Sequence, residues 1–190
     1  MKDLHVSWDE YHKLIETLAY VVNDSGWKFD SLLCLSRGGL RPGDILSRIF
    51  DMPLNILATS SYREAAGTVQ GELDIGQYIA SSRPDSLKGK VLLVDDLVDS
   101  GLTFKKVTEH LKTRVPAITE VRTAVLWWKK CSQVKPDYYV QFLEDNPWIH
   151  QPFEVYDTMR LGQLEGRVKD YNLLKPAPQE SQPLKNCGKI

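Results

Sequence analysis

The strongest structural constraint in the sequence is a short apolar run that leads directly into acidic residues. Val91–Val94 has the sequence Val-Leu-Leu-Val, and Asp95 and Asp96 follow at once. An apolar run of this length without polar alternation is typical of a strand that is buried on both faces of a parallel sheet. Ligands of such sheets bind beyond the carboxyl ends of the strands. The sequence therefore predicts that this strand delivers two carboxylates to a ligand site.

The residues after the acidic pair predict a phosphate-binding loop that opens a helix. Asp99, Ser100, Gly101 and Thr103 are small or hydrogen-bonding, and apolar residues at helical spacing begin with Leu102. Backbone N–H groups in such a loop and the helix dipole hold a phosphate without any lysine. The adjacent carboxylates suit ribose hydroxyls or a hydrated Mg²⁺. Together the two features predict a site for a sugar phosphate with vicinal hydroxyls.

Two simpler interpretations of this segment stay open. In the first, Asp95 and Asp96 merely end a strand, and Asp99 or Ser100 merely caps a helix, as such residues commonly do. The second is a receiver-type acidic pocket with Mg²⁺ held by an aspartate pair. That pocket would require an isolated aspartate at another strand end and a lysine near the last strand, and it would leave the glycine-threonine loop without a purpose.

Strands and helices alternate along the rest of the chain. A capping box at Ser7 and Glu10 predicts a first helix that ends near residues 23–26, and Pro42 suits the first turn of a helix through about residue 50. Further predictions are a helix over about 101–114, strands over 31–36, 54–59, 91–94 and 121–128, and a mobile loop over about 60–71. This alternation predicts an α/β fold with a mainly parallel central sheet flanked by helices.

Composition excludes several classes of protein. With 190 residues, 42% hydrophobic and 26% charged, the chain has the values of one ordinary globular domain. The balance of 24 basic and 25 acidic side chains argues against binding to nucleic acid or an anionic membrane by bulk charge. No apolar run is long enough for a membrane span, and the first residues lack the apolar core of a signal peptide, so we expect a cytoplasmic protein. The three cysteines have no metal-site spacing, and Cys34 is predicted to be a core residue.

The segment Asp95–Thr103 resembles the 5-phosphoribosyl diphosphate (PRPP) signature of type I phosphoribosyltransferases. Three further segments are similar to the bacterial xanthine-guanine and hypoxanthine branch of that family: Val6–Asp9, Ser36–Gly43 and Trp148–Glu154. The resemblance implies the type I phosphoribosyltransferase fold, with a flexible hood loop and a small base-binding hood. It also implies an Mg²⁺-dependent enzyme of purine salvage, which transfers the phosphoribosyl group of PRPP to a 6-oxopurine and releases pyrophosphate.

The resemblance implies roles for individual residues of the PRPP site. Asp95 and Asp96 would contact the ribose hydroxyls, with Asp96 also the neighbour of Mg²⁺, and residues 99–103 would hold the 5′-phosphate. Asp99 would also face N7 of the purine and act as the catalytic residue. The implied PRPP-binding residues are Arg37, Gly38, Asp95, Asp96, Leu97, Val98, Asp99, Ser100, Gly101, Leu102 and Thr103.

Base recognition and hood closure are implied in the same way. Besides Asp99, Lys129 matches the lysine that contacts the exocyclic oxygen of 6-oxopurines, with Lys130 as its rival for this position. Trp148 matches the residue that stacks on the base, and Ile149 would offer backbone contacts. The start of the flexible hood loop would be formed by Ser61, Tyr62 and Arg63.

The predicted domain boundaries follow from the extent of this resemblance and from the charge of the last residues. Residues 1–159 are predicted to form the phosphoribosyltransferase domain, with a flexible loop over about 61–74. Residues 160–190 are predicted to form a basic tail that is partly ordered at most, because they hold 6 basic and 3 acidic side chains against 18 and 22 in the domain.

The resemblance further implies a homodimer or homotetramer, with PRPP and a purine base as substrates and no nucleic-acid partner. Two alternatives stay open. One is a regulatory protein that senses PRPP or a nucleotide on the same fold, and the other is a phosphoribosyltransferase for another base. Lys129 and Trp148 argue against the second alternative.

Overall fold

The structure is a computed structural model that describes residues 3–63 and 70–170, with the side chains of 61–63, 70–72 and 169–170 left out. The strands are β1 Leu4–His5, β2 Ser31–Ser36, β3 Leu54–Arg63, β4 Gln70–Ser81, β5 Gly89–Val94, β6 Leu97–Val98, β7 Ile118–Lys129, β8 Tyr138–Leu143 and β9 Ile149–His150. The helices are α1 Trp8–Asp24, α2 Leu40–Ile49, α3 Leu102–Arg114, α4 Val155–Thr158 and α5 Leu161–Asp170.

A seven-stranded sheet, counted over the described residues, forms the centre of the molecule. Its order is β4-β3-β2-β5-β7-β6, and β8 also pairs with β7. Every pairing is parallel except the antiparallel contact of β3 with β4. A separate two-stranded parallel sheet joins β1 to β9. The prediction of an α/β fold with a mainly parallel sheet is confirmed.

Helices cover both faces of the sheet. On one face Phe104, Val107 and Leu111 of α3 pack in a buried cluster with strand residues such as Leu33 and Leu93. On the other face the α2 backbone lies so close to Cys34 that a Cβ on Gly43 would meet the Cβ of Cys34 at 2.5 Å. Because successive strand residues point to opposite faces, the buried parts of the central strands must be apolar on both faces, as residues 32–35 of β2 and 91–94 of β5 are.

The register of three neighbouring strands brings their carboxyl ends to one edge. Cys34 of β2 pairs with Val94 of β5, and Val94 pairs with Ala124 of β7. The turn after β2 and the acidic pair after β5 therefore lie side by side. Because β7 continues beyond this level, its last residue, Lys129, extends past the end of β5.

The predicted flexible loop over 61–74 is corrected at both of its ends. Ser61, Tyr62 and Arg63 belong to β3, and residues 70–74 belong to β4. The two strands pair, with Ser61 opposite Leu73 and Arg63 opposite Gln70. Residues 64–69 lie outside the described residues. The sequence of β4 is rich in polar residues and glycine, which is typical of loops, but such a strand is tolerated at the edge of a sheet, where β4 lies.

The chain divides into two compact units after Gln151. The predicted domain boundary at residue 159 falls inside the second unit, which contains α4 and α5. Residues 161–170 of the predicted tail form α5, and residues 171–190 lie outside the described residues. Within the described part of the chain, no helix is both long and apolar enough to cross a bilayer.

A buried asparagine of β3 forms hydrogen bonds with both neighbouring strands. The Asn55 side chain donates from Nδ2 to the Leu32 carbonyl oxygen at 2.8 Å, and its Oδ1 accepts from the hydroxyls of Ser81 and Ser86 at 2.6 and 2.8 Å. Asn55 is fully buried. It therefore joins β2, β3 and β4, and its bond to Leu32 is buried.

We expect Asn55→Ala to lower the free energy of unfolding by about 2–4 kcal/mol, because it leaves several buried polar groups without partners. Urea unfolding at equilibrium measures the change. Asn23→Ala, at an exposed position of α1, is the matched control and should alter stability by less than about 0.5 kcal/mol. Equal small effects of both substitutions on the free energy of unfolding would contradict the stabilising role of the Asn55 hydrogen bonds.

Candidate active site

Asp95 and Asp96, the acidic pair, lie at the centre of the edge where the carboxyl ends of β2, β5 and β7 meet, which we call the strand-end edge. Asp95 and Asp96 are half-buried, and the Asp96 amide donates to Asp95 Oδ1 at 3.0 Å. The pKa of the Asp95 carboxyl is raised well above its usual range, first by removal from water and second by the neighbouring Asp96 charge. Hydrogen bonds from the Asp96 and Gly39 amides act in the opposite direction. The pair therefore concentrates negative charge that a hydroxyl donor or a cation would stabilise.

The turn after β2 contacts this pair directly. A Cβ on Gly38 would meet Asp96 Oδ1 at 2.4 Å, and one on Gly39 would meet the carbonyl oxygens of Val94 and Leu35 at 2.5 and 2.7 Å. Only glycine fits at either position without displacing a neighbour. Arg37, the first residue of the turn, is exposed, and the Ser36–Arg37 peptide bond is cis. The turn thus brings the Gly38 backbone against the Asp96 carboxylate.

The predicted phosphate loop leads from β6 into α3. Gly101, the N-cap of α3, has φ +83°, a left-handed conformation that favours glycine, and no side chain caps the helix. A neighbouring turn packs against the loop, because Gln133 N–H donates to the Ser100 carbonyl oxygen at 3.1 Å and Ser132 Oγ lies 2.8 Å from where a Gly101 Cβ would be. The first turn of α3 therefore has backbone N–H groups that a bound anion can use.

A lysine and a cysteine flank the carboxylate that begins this loop. Strand β6 pairs with the last part of β7, which places Asp99 beside Lys129. Lys129 Nζ lies 3.7 Å from Asp99 Oδ1, and the lysine side chain is only 7% exposed. Cys131 Sγ donates to the same oxygen at 3.4 Å. The pKa of the Cys131 thiol is raised by its removal from water and by Asp99, so the thiol stays a neutral donor.

The predicted base-stacking residues lie at the β1–β9 pair. Trp148 is 52% exposed, whereas Ile149 is 5% exposed. The carbonyl oxygens of Trp148 and His150 accept from Leu4 and Val6 N–H at 2.9 and 3.0 Å. Because residues alternate in a parallel ladder, the backbone groups of Ile149 face away from β1. The strand therefore offers an aromatic face together with a backbone donor and acceptor.

Three metal-ligating side chains lie on this same pair of strands. The ligand atoms of Asp3, His5 and His150 lie within 4.8 Å of one another. His150 Nε2 lies 3.0 Å from Asp3 Oδ2, and the two imidazole rings stack with centroids 4.3 Å apart and an interplanar angle of 8°. The lone pairs of two parallel stacked rings do not converge on one ion. The cluster is thus better described as a stacked, hydrogen-bonded surface contact than as a metal site.

The structure separates the two candidate lysines. Lys130 is 63% exposed and pairs with Glu144 at 3.3 Å, away from Asp99. Lys129 is the lysine that the fold brings to the phosphate loop. Among the other predicted PRPP residues, the Val98 side chain is buried in the core, so only its backbone can contact a ligand. The side chains of Ser61, Tyr62 and Arg63 lie outside the described part of the structure.

Two residues of the site were not predicted from the sequence. The first is Cys131, and a thiol two residues after a strand has no sequence signal for such a contact. The second is Gln151, whose Nε2 donates to Asp96 Oδ2 in a short hydrogen bond. Its presence beside Trp148 in the resembling segment was the one available signal.

Comparison with known proteins shows the family and the fold of the chain. Residues 7–158 match the phosphoribosyl transferase domain family. A purine phosphoribosyltransferase from Pyrococcus horikoshii is 31% identical, with 80% of this chain and 95% of that chain covered and a TM-score of 0.65. The xanthine-guanine-hypoxanthine phosphoribosyltransferase of Helicobacter pylori is 27% identical, with coverages of 89% and 99% and a TM-score of 0.66.

The chain belongs to the phosphoribosyl transferase domain family. Its mostly parallel sheet flanked by helices is the type I phosphoribosyltransferase fold, as expected from the motif at Asp95–Thr103. The resemblance to the bacterial xanthine-guanine and hypoxanthine enzymes is confirmed at the level of the family.

Gly38→Ala tests the packing of the turn on Asp96. The added methyl group would lie far inside contact distance of Asp96 Oδ1, so we expect the Asp96 carboxylate to move by roughly 1 Å and to lose its bond to Gln151. A crystal structure of the variant measures the displacement. Gly162→Ala is the control, since a Cβ there meets nothing within 4 Å. If the Asp96 side chain has not moved in Gly38→Ala, the turn after β2 does not pack against Asp96 as described.

Proposed function

We propose that the protein transfers the 5-phosphoribosyl group of PRPP to a 6-oxopurine and releases pyrophosphate and a nucleoside 5′-monophosphate. The observation that carries this proposal is the pair of Lys129 and Asp99 at the start of the phosphate loop. A lysine is almost never buried without a partner, and Lys129, only 7% exposed, pairs with Asp99 at the start of that loop. The names of the Pyrococcus horikoshii and Helicobacter pylori relatives support a purine substrate.

PRPP would bind along the strand-end edge. Asp95 and Asp96 would accept hydrogen bonds from the ribose hydroxyls, since a carboxylate is a strong acceptor. Backbone N–H groups of the loop over residues 99–103 and of the first turn of α3 would hold the 5′-phosphate. The turn over residues 37–39 would hold the diphosphate through N–H groups and the Arg37 guanidinium.

The base would lie between the Lys129–Asp99 pair and β9. Lys129 would donate to the exocyclic oxygen of a 6-oxopurine, and the amino group of adenine in the same place would leave a buried ammonium without an acceptor. Asp99 would accept the proton at N7, which keeps the base oriented and supports loss of its proton. Trp148 would stack on the ring, and Ile149 would bind it through its backbone.

The acidic pair also fits a magnesium ion. Its donors are carboxylate oxygens, which Mg²⁺ prefers, and the two carboxylates are adjacent in the chain and only half-buried. Asp96, the member beside the Gly38 turn, would hold the ion together with water molecules. When bound, Mg²⁺ would neutralise charge on the departing pyrophosphate.

The reaction forms a bond between a purine nitrogen and C1 of the ribose and breaks the bond from C1 to the diphosphate oxygen. Positive charge develops on the ribose as the diphosphate leaves, and the carboxylates of Asp95, Asp96 and Asp99 oppose it with negative charge. The base loses one proton, for which Asp99 is the nearest acceptor. Homo-oligomeric assembly and a cytoplasmic location stay predictions.

A base panel tests the activity. Purified protein with PRPP and Mg²⁺ should release pyrophosphate with hypoxanthine, guanine or xanthine, and much less with adenine or uracil. Asp99→Asn, which keeps the shape of the side chain and removes its charge, should slow release by about 100-fold or more. Release from the unchanged protein that does not exceed that of Asp99→Asn would reject the proposal and favour a binding or regulatory protein.

Lys129 and Lys130 provide a matched pair for base selectivity. We expect Lys129→Met to lower kcat/KM for hypoxanthine by about 100-fold and to reduce the preference over adenine, because the donor to the exocyclic oxygen is lost. Lys130→Met should change kcat/KM by less than about twofold, since an exposed ion pair contributes little. Steady-state kinetics with both bases measures the two ratios. A larger loss of kcat/KM in Lys130→Met than in Lys129→Met would show that the contact to the exocyclic oxygen was assigned to the wrong lysine.

A further inference from the structure

A glutamine connects the strand that would bind the base to the carboxylate that would bind the ribose. Gln151 directly follows β9, and its Nε2 donates to Asp96 Oδ2. Its Oε1 is buried and has no hydrogen-bond partner among the described residues. Among the residues that the structure describes, the one hydrogen bond of this amide is therefore to Asp96, although the amide group has two donors and one acceptor to satisfy.

The chemistry of this contact fixes how the amide is oriented. If the amide were flipped, its oxygen would lie against a carboxylate oxygen, and two acceptors repel each other. An amide donor also leaves the Asp96 charge in place, whereas a lysine or arginine would neutralise it and compete with other partners. Gln151 is therefore suited to hold a carboxylate that must still bind a ligand.

Asp96 is held from two sides. Oδ2 accepts from Gln151, and Oδ1 is the atom closest to the place where a Gly38 side chain would begin. The carboxylate thus lies between β9 and the turn after β2, and either neighbour restricts its rotation. A ligand that moves β9 therefore also changes the orientation of the Asp96 carboxylate through Gln151.

We propose that Gln151 is a positioning residue that orients Asp96 for the ribose hydroxyls and couples base binding at Trp148–Ile149 to PRPP binding. This inference rests on the proposed function. The buried, unpartnered Oε1 supports it, because a buried acceptor without a donor is costly unless a ligand or water supplies one. By reciprocity, a base that stabilises β9 raises the affinity for PRPP by the same factor as PRPP raises the affinity for the base.

A double-mutant cycle separates positioning from a general structural effect. We compare Gln151→Met, Asp96→Ala and the double variant by calorimetric titration with PRPP in the presence of Mg²⁺. Methionine keeps the length of glutamine without its donor. Gln151→Met should weaken PRPP binding about tenfold in the unchanged background and by less than about twofold in the Asp96→Ala background, because its partner is already absent.

Gln141 is the matched control. Its side chain also makes one specific hydrogen bond, accepting from Trp127 Nε1 at 2.8 Å, but outside the acidic pair. Gln141→Met should have the same small effect on PRPP binding in both backgrounds. Thermal unfolding of each variant confirms that the proteins compared are folded.

A second titration measures the coupling itself. The probe is 9-deazaguanine, whose ring carbon at position nine cannot act as the nucleophile, so base and PRPP can be bound together without reaction. It should tighten PRPP binding several-fold in the unchanged protein, and this factor should fall close to one in Gln151→Met.

The outcomes distinguish this inference from the function on which it rests. If the unchanged protein turns over and binds PRPP, but Gln151→Met has equal effects with and without Asp96, the inference is wrong and the function stands. An undiminished coupling factor in Gln151→Met has the same consequence. If the unchanged protein neither binds PRPP nor releases pyrophosphate, the proposed function is rejected and the inference with it.

Discussion

Two adjacent carboxylates at the end of a buried strand set the conditions that the surrounding structure meets. Asp95 and Asp96 are neighbours in sequence, so the chain cannot separate them, and removal from water together with mutual repulsion raises the pKa of Asp95. Neutral groups donate hydrogen bonds to these carboxylates: the backbone amides of Asp96 and Gly39 to Asp95, and the side chain of Gln151 to Asp96. The pair therefore keeps a negative charge available for a hydroxyl-bearing ligand.

The same constraint bears on the proposed binding of a polyanion. Because the net charge of the whole sequence is −1, overall positive charge is not available to attract one, and a bound polyanion would depend on directed groups. The N–H groups at the start of α3 and at the turn over residues 37–39 would be such groups, and both lie at the edge where β2, β5 and β7 end. Under the proposed function, anion binding and hydroxyl binding fall to different neighbours of one strand.

Much of the fold and site could be predicted because their signals are local. The buried run of β5, the glycines of the turn after β2, and the loop before α3 are recognisable within a few residues, and each lies where the sequence indicated. The edge strand β4 was missed because its polar residues and glycines resemble a loop. Contacts of Cys131 and Gln151 were missed because they depend on register: Asp99 meets the end of β7 only through the two-residue strand β6, and Gln151 reaches Asp96 only through the β1–β9 pair.

A crystal structure of the protein with bound PRPP and 9-deazaguanine would show which groups of the chain contact each part of the two ligands. We expect the 5′-phosphate to accept hydrogen bonds from the N–H groups at Gly101–Thr103 and the ribose hydroxyls to donate to Asp95 and Asp96. We also expect the base to lie between Lys129 and Trp148. A 5′-phosphate bound elsewhere, or ribose hydroxyls without contact to either carboxylate, would show that the acidic pair and the loop before α3 do not form the PRPP site.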